Sequence, residues 1–257
     1  MRGLDRYDAS GLVEAQVQPG SRGRVLRNLL GVTRRREMDR LEAQAQYRAM
    51  ERMLGEYGPG HRFTAADVCH VHRTWLEEIY EWAGEYRQVN LSKGDLPFAA
   101  AARVPCLMAK FEREVLTANT PCAGMDTGRL ASALAMVHTE LILIHPFRDG
   151  NGRAARMLAV LMAAQAGLPL LNFSGVRGRA RSGYFAAVRS GLDRDYAPMT
   201  GVFLAVIRRT LKTSDGGGRS AAKARLAAGP GGRGGRPRSP SRRSRKPTGA
   251  GSVEPDH

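Results

Sequence analysis

Apolar residues recur at spacings of three and four through most of this chain, a rhythm that admits helices far more readily than strands. Met38, Leu41, Ala45, Ala49 and Met53 fall on one helical face. Thr64-Ala65-Ala66-Asp67 has the form of a capping box. It would open a helix burying Val68, Val71, Trp75, Ile79 and Trp82. Pro105 suits the first turn of a third helix with Met108, Phe111 and Val115 inward. Asp126 can cap a fourth, which buries Leu130, Leu134, Val137, Leu141 and Ile144. Residues 153–166 read as a fifth, closed by Gly167 and stopped by Pro169. Two more are expected over 179–192 and 198–212. One segment breaks the rhythm: 87–92 alternates, Lys93-Gly94-Asp95 offers a turn, and Leu96-Pro97-Phe98 follows. That pattern predicts a small β-hairpin. The expected fold is all-α, a single mainly helical domain over 19–212 with one β-hairpin flap.

The ends differ from this middle. Residues 1–18 read as an irregular arm. Residues 213–257 are rich in Gly, Pro, Ser and Arg and have almost no aliphatic content after Leu226. Such a segment cannot bury enough surface to offset chain entropy, so it reads as a disordered basic tail. The chain carries a net charge of +16, and ten Lys/Arg against three Asp/Glu lie in that tail. Hydrophobic residues make up 42% of the whole, enough to fill a core. Cys69, Cys106 and Cys122 are an odd number at no metal-like spacing, which argues against a disulfide framework and for a reducing compartment. The N-terminus lacks the apolar region of a signal peptide. The most apolar stretch, 157–171, contains Gln165, Gly167 and Pro169 and is too short to span a bilayer. No membrane insertion is expected, and the cytoplasm is the expected location.

The chemistry concentrates in twelve residues, His145-Pro146-Phe147-Arg148-Asp149-Gly150-Asn151-Gly152-Arg153-Ala154-Ala155-Arg156. Pro146 disfavours helical geometry at His145, which places the histidine at a helix-to-loop junction. Gly150 and Gly152 flank Asn151, so consecutive amides can turn into one cavity. A helix N-terminus follows, which favours anions. Arg153 and Arg156 are three apart and lie on one side of that helix. Two guanidiniums beside an amide nest make a phosphate site. Asp149 is a hard carboxylate at its mouth, suited to Mg²⁺ bridging phosphate oxygens. His145 supplies a titratable base. These are the parts needed for attack of a hydroxyl on a nucleotide phosphate.

The segment resembles the signature of the Fic family, His-x-Phe-x-Asp/Glu-Gly-Asn-Gly-Arg-x-x-Arg, at every specified position. Residues 25–32 are similar to the entry segment of adenylylating Fic proteins. Ser92-Lys93-Gly94 and Phe98 are similar to their target-positioning flap. The resemblance implies transfer of AMP from ATP to a Ser, Thr or Tyr hydroxyl of a target protein, with release of pyrophosphate. It implies that His145 deprotonates the hydroxyl, that Asp149 holds Mg²⁺, and that Gly150, Asn151 and Gly152 surround the α- and β-phosphates. Arg153 and Arg156 would hold the β- and γ-phosphates. Gly152 argues against the phosphotransferase branch, which has Lys there. The flap would add a strand to the target backbone. Many relatives carry an inhibitory Ser/Thr-x-x-x-Glu-Gly/Asn motif. Thr33 to Glu37 is followed by Met38 and Thr74 to Glu78 by Ile79, so both read as chance matches. A separate small antitoxin, or no restraint at all, is expected, in a bacterial toxin-like or effector protein.

Other candidates have plainer readings. His70 and His72 point to different helix faces and read as structural. His138, Trp75 and Trp82 read as core. Tyr184 is a candidate to stack on adenine, against a core tyrosine. The basic tail reads as a solubilising extension, a nucleic-acid contact or a secretion signal for export as an effector. Rival functions are a Fic enzyme using another donor (UMP, phosphocholine) or removing AMP, and a nucleic-acid-associated protein with an idle domain.

Overall fold

The computed structural model describes residues 11–93, 96–176, 178 and 180–227, without the side chains of Leu96 and of 215–227. Helix α1 spans Arg35–Glu56 and α2 spans Ala65–Leu76. Helix α3, Val104–Phe111, runs through a π-helical turn at Glu112–Leu116 into the short α4, Thr117–Asn119. Then come α5 (Thr127–Ile144), α6 (Asn151–Gln165), α7 (Ala180–Ser190) and α8 (Ala197–Ala227). The expected hairpin is present but short. Strand β1, Ser92–Lys93, pairs antiparallel with β2, Leu96–Pro97, placing Ser92 opposite Pro97 and Lys93 opposite Leu96.

Local chemistry sets the helix starts. The Thr64 hydroxyl accepts from the Asp67 amide and the Asp67 carboxylate accepts from the Thr64 amide, a complete capping box worth about 1 kcal/mol. Asp126 caps α5 by accepting from the Arg129 amide at 2.9 Å. Helices α5 and α6 pack together at the centre, α2 lies against α6 and α1, and α3 lies against α5. By length and composition α5 could cross a membrane, but Leu130, Leu134, Val137 and Leu141 are buried inside the fold as in a core helix.

Several boundaries differ from expectation. On α1 the buried set is Met38, Glu42, Ala45, Ala49 and Met53; Leu41 is only half-buried and a glutamate takes the inward position. Residues 13–18 are not a loose arm. Val13–Ala15 form a 3₁₀ turn and Val17 bridges Leu26. The last helix continues beyond 212 as far as Ala227. The rest of the basic tail, 228–257, and the first ten residues lie outside the described residues. Residues 1–217 form one compact unit and 218–257 a second; the site belongs to the first.

Candidate active site

His145 ends α5 in the left-handed region, at φ 55° and ψ 59°. Its Nδ1 lies 3.0 Å from the Ile142 carbonyl oxygen. A carbonyl can only accept, so Nδ1 carries the proton and Nε2 is the basic nitrogen. Phe98, just beyond the flap, stacks on the imidazole with ring centroids 3.6 Å apart. Burial, reinforced by the charges of Arg87 and Lys93, holds His145 down at about 4. It is therefore neutral, and able to accept a proton, at pH 7.

The loop after His145 is held from both sides. The Asn151 side chain is buried, accepting from the Phe147 amide at 2.8 Å and donating to the Phe147 carbonyl at 2.7 Å. Its amide group is thus spent inside the loop, and only its backbone N–H remains to offer an anion. The amides of Asn151 and Gly152 open α6 without a preceding helical carbonyl to bond. Gly150 sits at φ 79°, and a Cβ there would meet the Trp75 ring at 2.8 Å, so both conformation and space require glycine. At Gly152 a Cβ would enter open space on the cavity side.

His72 is a structural part of this loop. Its Nδ1 accepts from the Gly84 amide at 2.9 Å, so Nε2 carries the proton and donates to the Asp149 carbonyl at 3.1 Å. Its ring stacks on Phe147 at 3.9 Å. Burial holds it neutral, down at about 4. The Asp149 carboxylate accepts from the Gly150 amide at 2.6 Å and stays 41% exposed, open to a cation. Among the described residues no cluster of three or more His, Cys, Asp or Glu could hold a metal alone. One accessible carboxylate beside a phosphate nest fits Mg²⁺, which takes its remaining ligands from phosphate oxygens and water.

The two motif arginines are not equivalent. Arg156 lines a cavity of about 860 Å³ with Lys93, Phe98, His145, Gly152 and Tyr184. No carboxylate pairs with Arg156 among the described residues. Arg153 instead forms an ion pair with the buried Glu42 and lies over the Trp75 ring at 4.6 Å. Glu42 also accepts from the Tyr80 hydroxyl at 2.7 Å. Neither Glu37 nor Glu78, the spacings considered as inhibitory, takes part; both are exposed, and Glu78 pairs with Arg48.

Tyr184 is in the wall, not free in the cavity. It is 8% exposed and its hydroxyl is 2.7 Å from His138 Nε2. The aromatic ring nearer the opening is Phe185, with Lys93 Nζ 4.2 Å and the Arg181 guanidinium 5.5 Å from its centroid. Burial and the neighbouring Arg181 and Arg156 charges hold Lys93 below the ordinary lysine range. Sequence reasoning also missed Arg87. It is 2% exposed and bonds the His145 carbonyl at 2.6 Å, and its arginine spacing gave no signal of that role.

The Fic/DOC family model matches residues 62–163, from before α2 through most of α6. A relative described as "Probable protein adenylyltransferase Fic", from Escherichia coli (strain K12), is 30% identical over 189 residues, covering 71% of this chain and 88% of the relative. The chain belongs to the Fic/DOC family. "Protein adenylyltransferase VbhT" of Bartonella schoenbuchensis is 28% identical over 144 residues, 56% of this chain and only 30% of that larger protein. Among solved structures, the N-terminal Fic domain of a VirB-translocated Bep effector protein from Bartonella quintana, with bound ADP, aligns with TM-score 0.56. It is 25% identical and covers 70% of this chain and 89% of that one. Its fold is the Fic fold described above.

Proposed function

We propose that this Fic protein is a protein adenylyltransferase that moves AMP from ATP to a Ser, Thr or Tyr hydroxyl of a target protein. The observation that carries the reading is His145, whose Nδ1–H is tied to Ile142 so that its basic nitrogen serves a cavity also lined by Gly152 and Arg156. The likeness to the Escherichia coli relative supports the same activity.

In this reading His145 Nε2 takes the proton of the target hydroxyl. The freed oxygen attacks the α-phosphorus, and the bond to the bridging oxygen breaks to release pyrophosphate. The amides of Asn151 and Gly152 receive the α- and β-phosphates, that of Gly150 joins them only in exchange for its bond to Asp149, and Arg156 takes the γ-phosphate end. Arg153 reaches the phosphates only in exchange for part of its bond to Glu42. Asp149 would hold Mg²⁺, which would neutralise phosphate charge when bound. The exposed Ser92 and Lys93, with Gly94 and Phe98, would align a target strand along the flap.

Arg156 without a carboxylate partner favours restraint by a separate antitoxin, as in a bacterial toxin-like protein, over an in-chain glutamate. We place synthesis in a bacterial cytoplasm. Secretion-machinery or nucleic-acid contact through the basic tail remains part of the same reading. Purified protein and His145→Ala, incubated with Mg²⁺ and lysate, test it. Label from α-labelled ATP on protein with wild type alone, and none from γ-labelled ATP, is the expected result. Label from γ-labelled ATP, or transfer that survives His145→Ala, overturns it.

A further inference from the structure

Arg87 is among the largest side chains with almost no exposure, and no carboxylate pairs with it among the described residues. All its bonds go to carbonyl oxygens. Nε donates to His145 at 2.6 Å, Nη1 to Val89 at 2.7 Å, and Nη2 to Ala99 at 2.5 Å and Ile144 at 3.4 Å. Its own amide donates to the Pro146 carbonyl at 2.8 Å.

These acceptors fall into two groups. Val89 and Ala99 are the two feet of the flap, one on each side of β1 and β2. Ile144 and His145 are the last carbonyls of α5, the negative end of that helix. One planar fork therefore joins both feet of the flap to the residue that carries the base. A packing role alone would not need it: an apolar side chain fills space without the cost of burying a guanidinium. Lysine has a single nitrogen and cannot reach both groups in the same geometry.

We propose that Arg87 is a positioning residue that locks the flap to the His145 backbone, so that seating a target strand and orienting the general base are one event. The lock works at His145 because its left-handed φ of 55° is uncommon for a residue other than glycine and needs its carbonyl held. Phe98, next to the Ala99 foot, is stacked on the same imidazole, so a shift of the flap reaches the ring by two routes. The phosphate nest lies beyond Pro146, and the bonds of the Arg87 side chain go to Val89, Ala99, Ile144 and His145 and not to it.

This inference rests on reading His145 as the base, but its test does not depend on turnover. In full-length Arg87→Lys, the Val89 and Phe98 amides are expected to exchange with solvent about tenfold faster or more, while α6 amides and the thermal shift given by ATP stay as in wild type. Where transfer is measurable, kcat falls about tenfold or more with KM for ATP within about twofold. Unchanged flap exchange overturns the proposal, as does faster exchange spread evenly over the fold. Should Arg87→Lys not fold, wild type decides by NMR with an unstructured threonine peptide as probe. The Arg87 Nε–H and His145 ring resonances are expected to shift together with the flap amides; flap shifts alone overturn the lock. If wild type transfers no AMP, the proposed activity fails and the exchange measurement still judges Arg87.

Discussion

The Tyr184 hydroxyl and His138 Nε2 stand 2.7 Å apart inside the cavity wall, joining α7 to the core helix α5. Phe203 packs edge-on against the same imidazole at 5.4 Å. The tyrosine's polar end is thus committed inward, and its ring lies 5.8 Å from the Arg156 guanidinium. Tyr184→Phe should keep the ring but leave a buried imidazole nitrogen without its partner, a loss of about 1–3 kcal/mol. Thermal denaturation is expected to show that loss while the preference for ATP over other nucleotides stays unchanged. Phe185→Ala, at the opening, is expected to do the reverse. Loss of ATP preference in Tyr184→Phe would show that the hydroxyl itself reaches the nucleotide; the ring, which the sequence offered for stacking on adenine, is kept in this variant.

Glu42 is a buried carboxylate shared by the Tyr80 hydroxyl and Arg153. Glu42→Gln keeps a group that can bond Tyr80 but removes the charge that opposes Arg153. Arg153 is partly exposed, so solvent moderates the loss, and a fall in stability of about 1–2 kcal/mol is expected. Without that carboxylate the guanidinium keeps only Asp149, 3.8 Å away at the mouth of the nest, and turns toward phosphates. The thermal shift produced by ATP with Mg²⁺ should therefore be larger in the variant than in wild type. An equal or smaller shift would show that Glu42 positions Arg153 for phosphate instead of competing with it.

What could be read from the sequence was what is local in the chain. The Thr64–Asp67 capping box, the Asp126 cap and the place of His145 at a helix end each rest on residues within a few turns, and the structure has them as the spacing suggested. Glu42 and Arg87 were not legible because their partners lie 38 to 111 and up to 58 residues away; His72 was read as structural, but not that it holds the Asp149 loop 77 residues on. A charged residue on an amphipathic helix ordinarily faces water, and only the fold shows that Glu42 displaces Leu41 from the inward face. Asn151 was read as part of the anion hole through its backbone amide, with nothing said of its side chain. That side chain closes the loop on Phe147, a bond within four residues that sequence spacing alone does not distinguish.

Asp149→Asn separates the metal role from the loop. The asparagine oxygen can still accept from the Gly150 amide, so the fold and the thermal midpoint should be close to wild type. A neutral amide is a poor ligand for Mg²⁺, and transfer is expected to fall about hundredfold or more with loss of its Mg²⁺ dependence. A variant with normal Mg²⁺-dependent transfer would place the metal elsewhere.

The buried histidines set the acid side of both stability and activity. His72, His138 and His145 are each held by burial at about 4, below their ordinary value of 6.5. The unfolded chain therefore takes up protons that the folded chain refuses. Stability is fully present above about pH 6.5 and declines as pH falls from there toward 4. The thermal midpoint should drop through that window, and less steeply in His138→Gln, where one of the three titrations is removed. Transfer behaves differently, because it needs only His145 unprotonated. The acid limb of kcat/KM should lie near pH 4, so rate per folded molecule stays level between pH 8 and about pH 5.5. An acid limb near 6.5 would mean that His145 is far more open to water in the free enzyme.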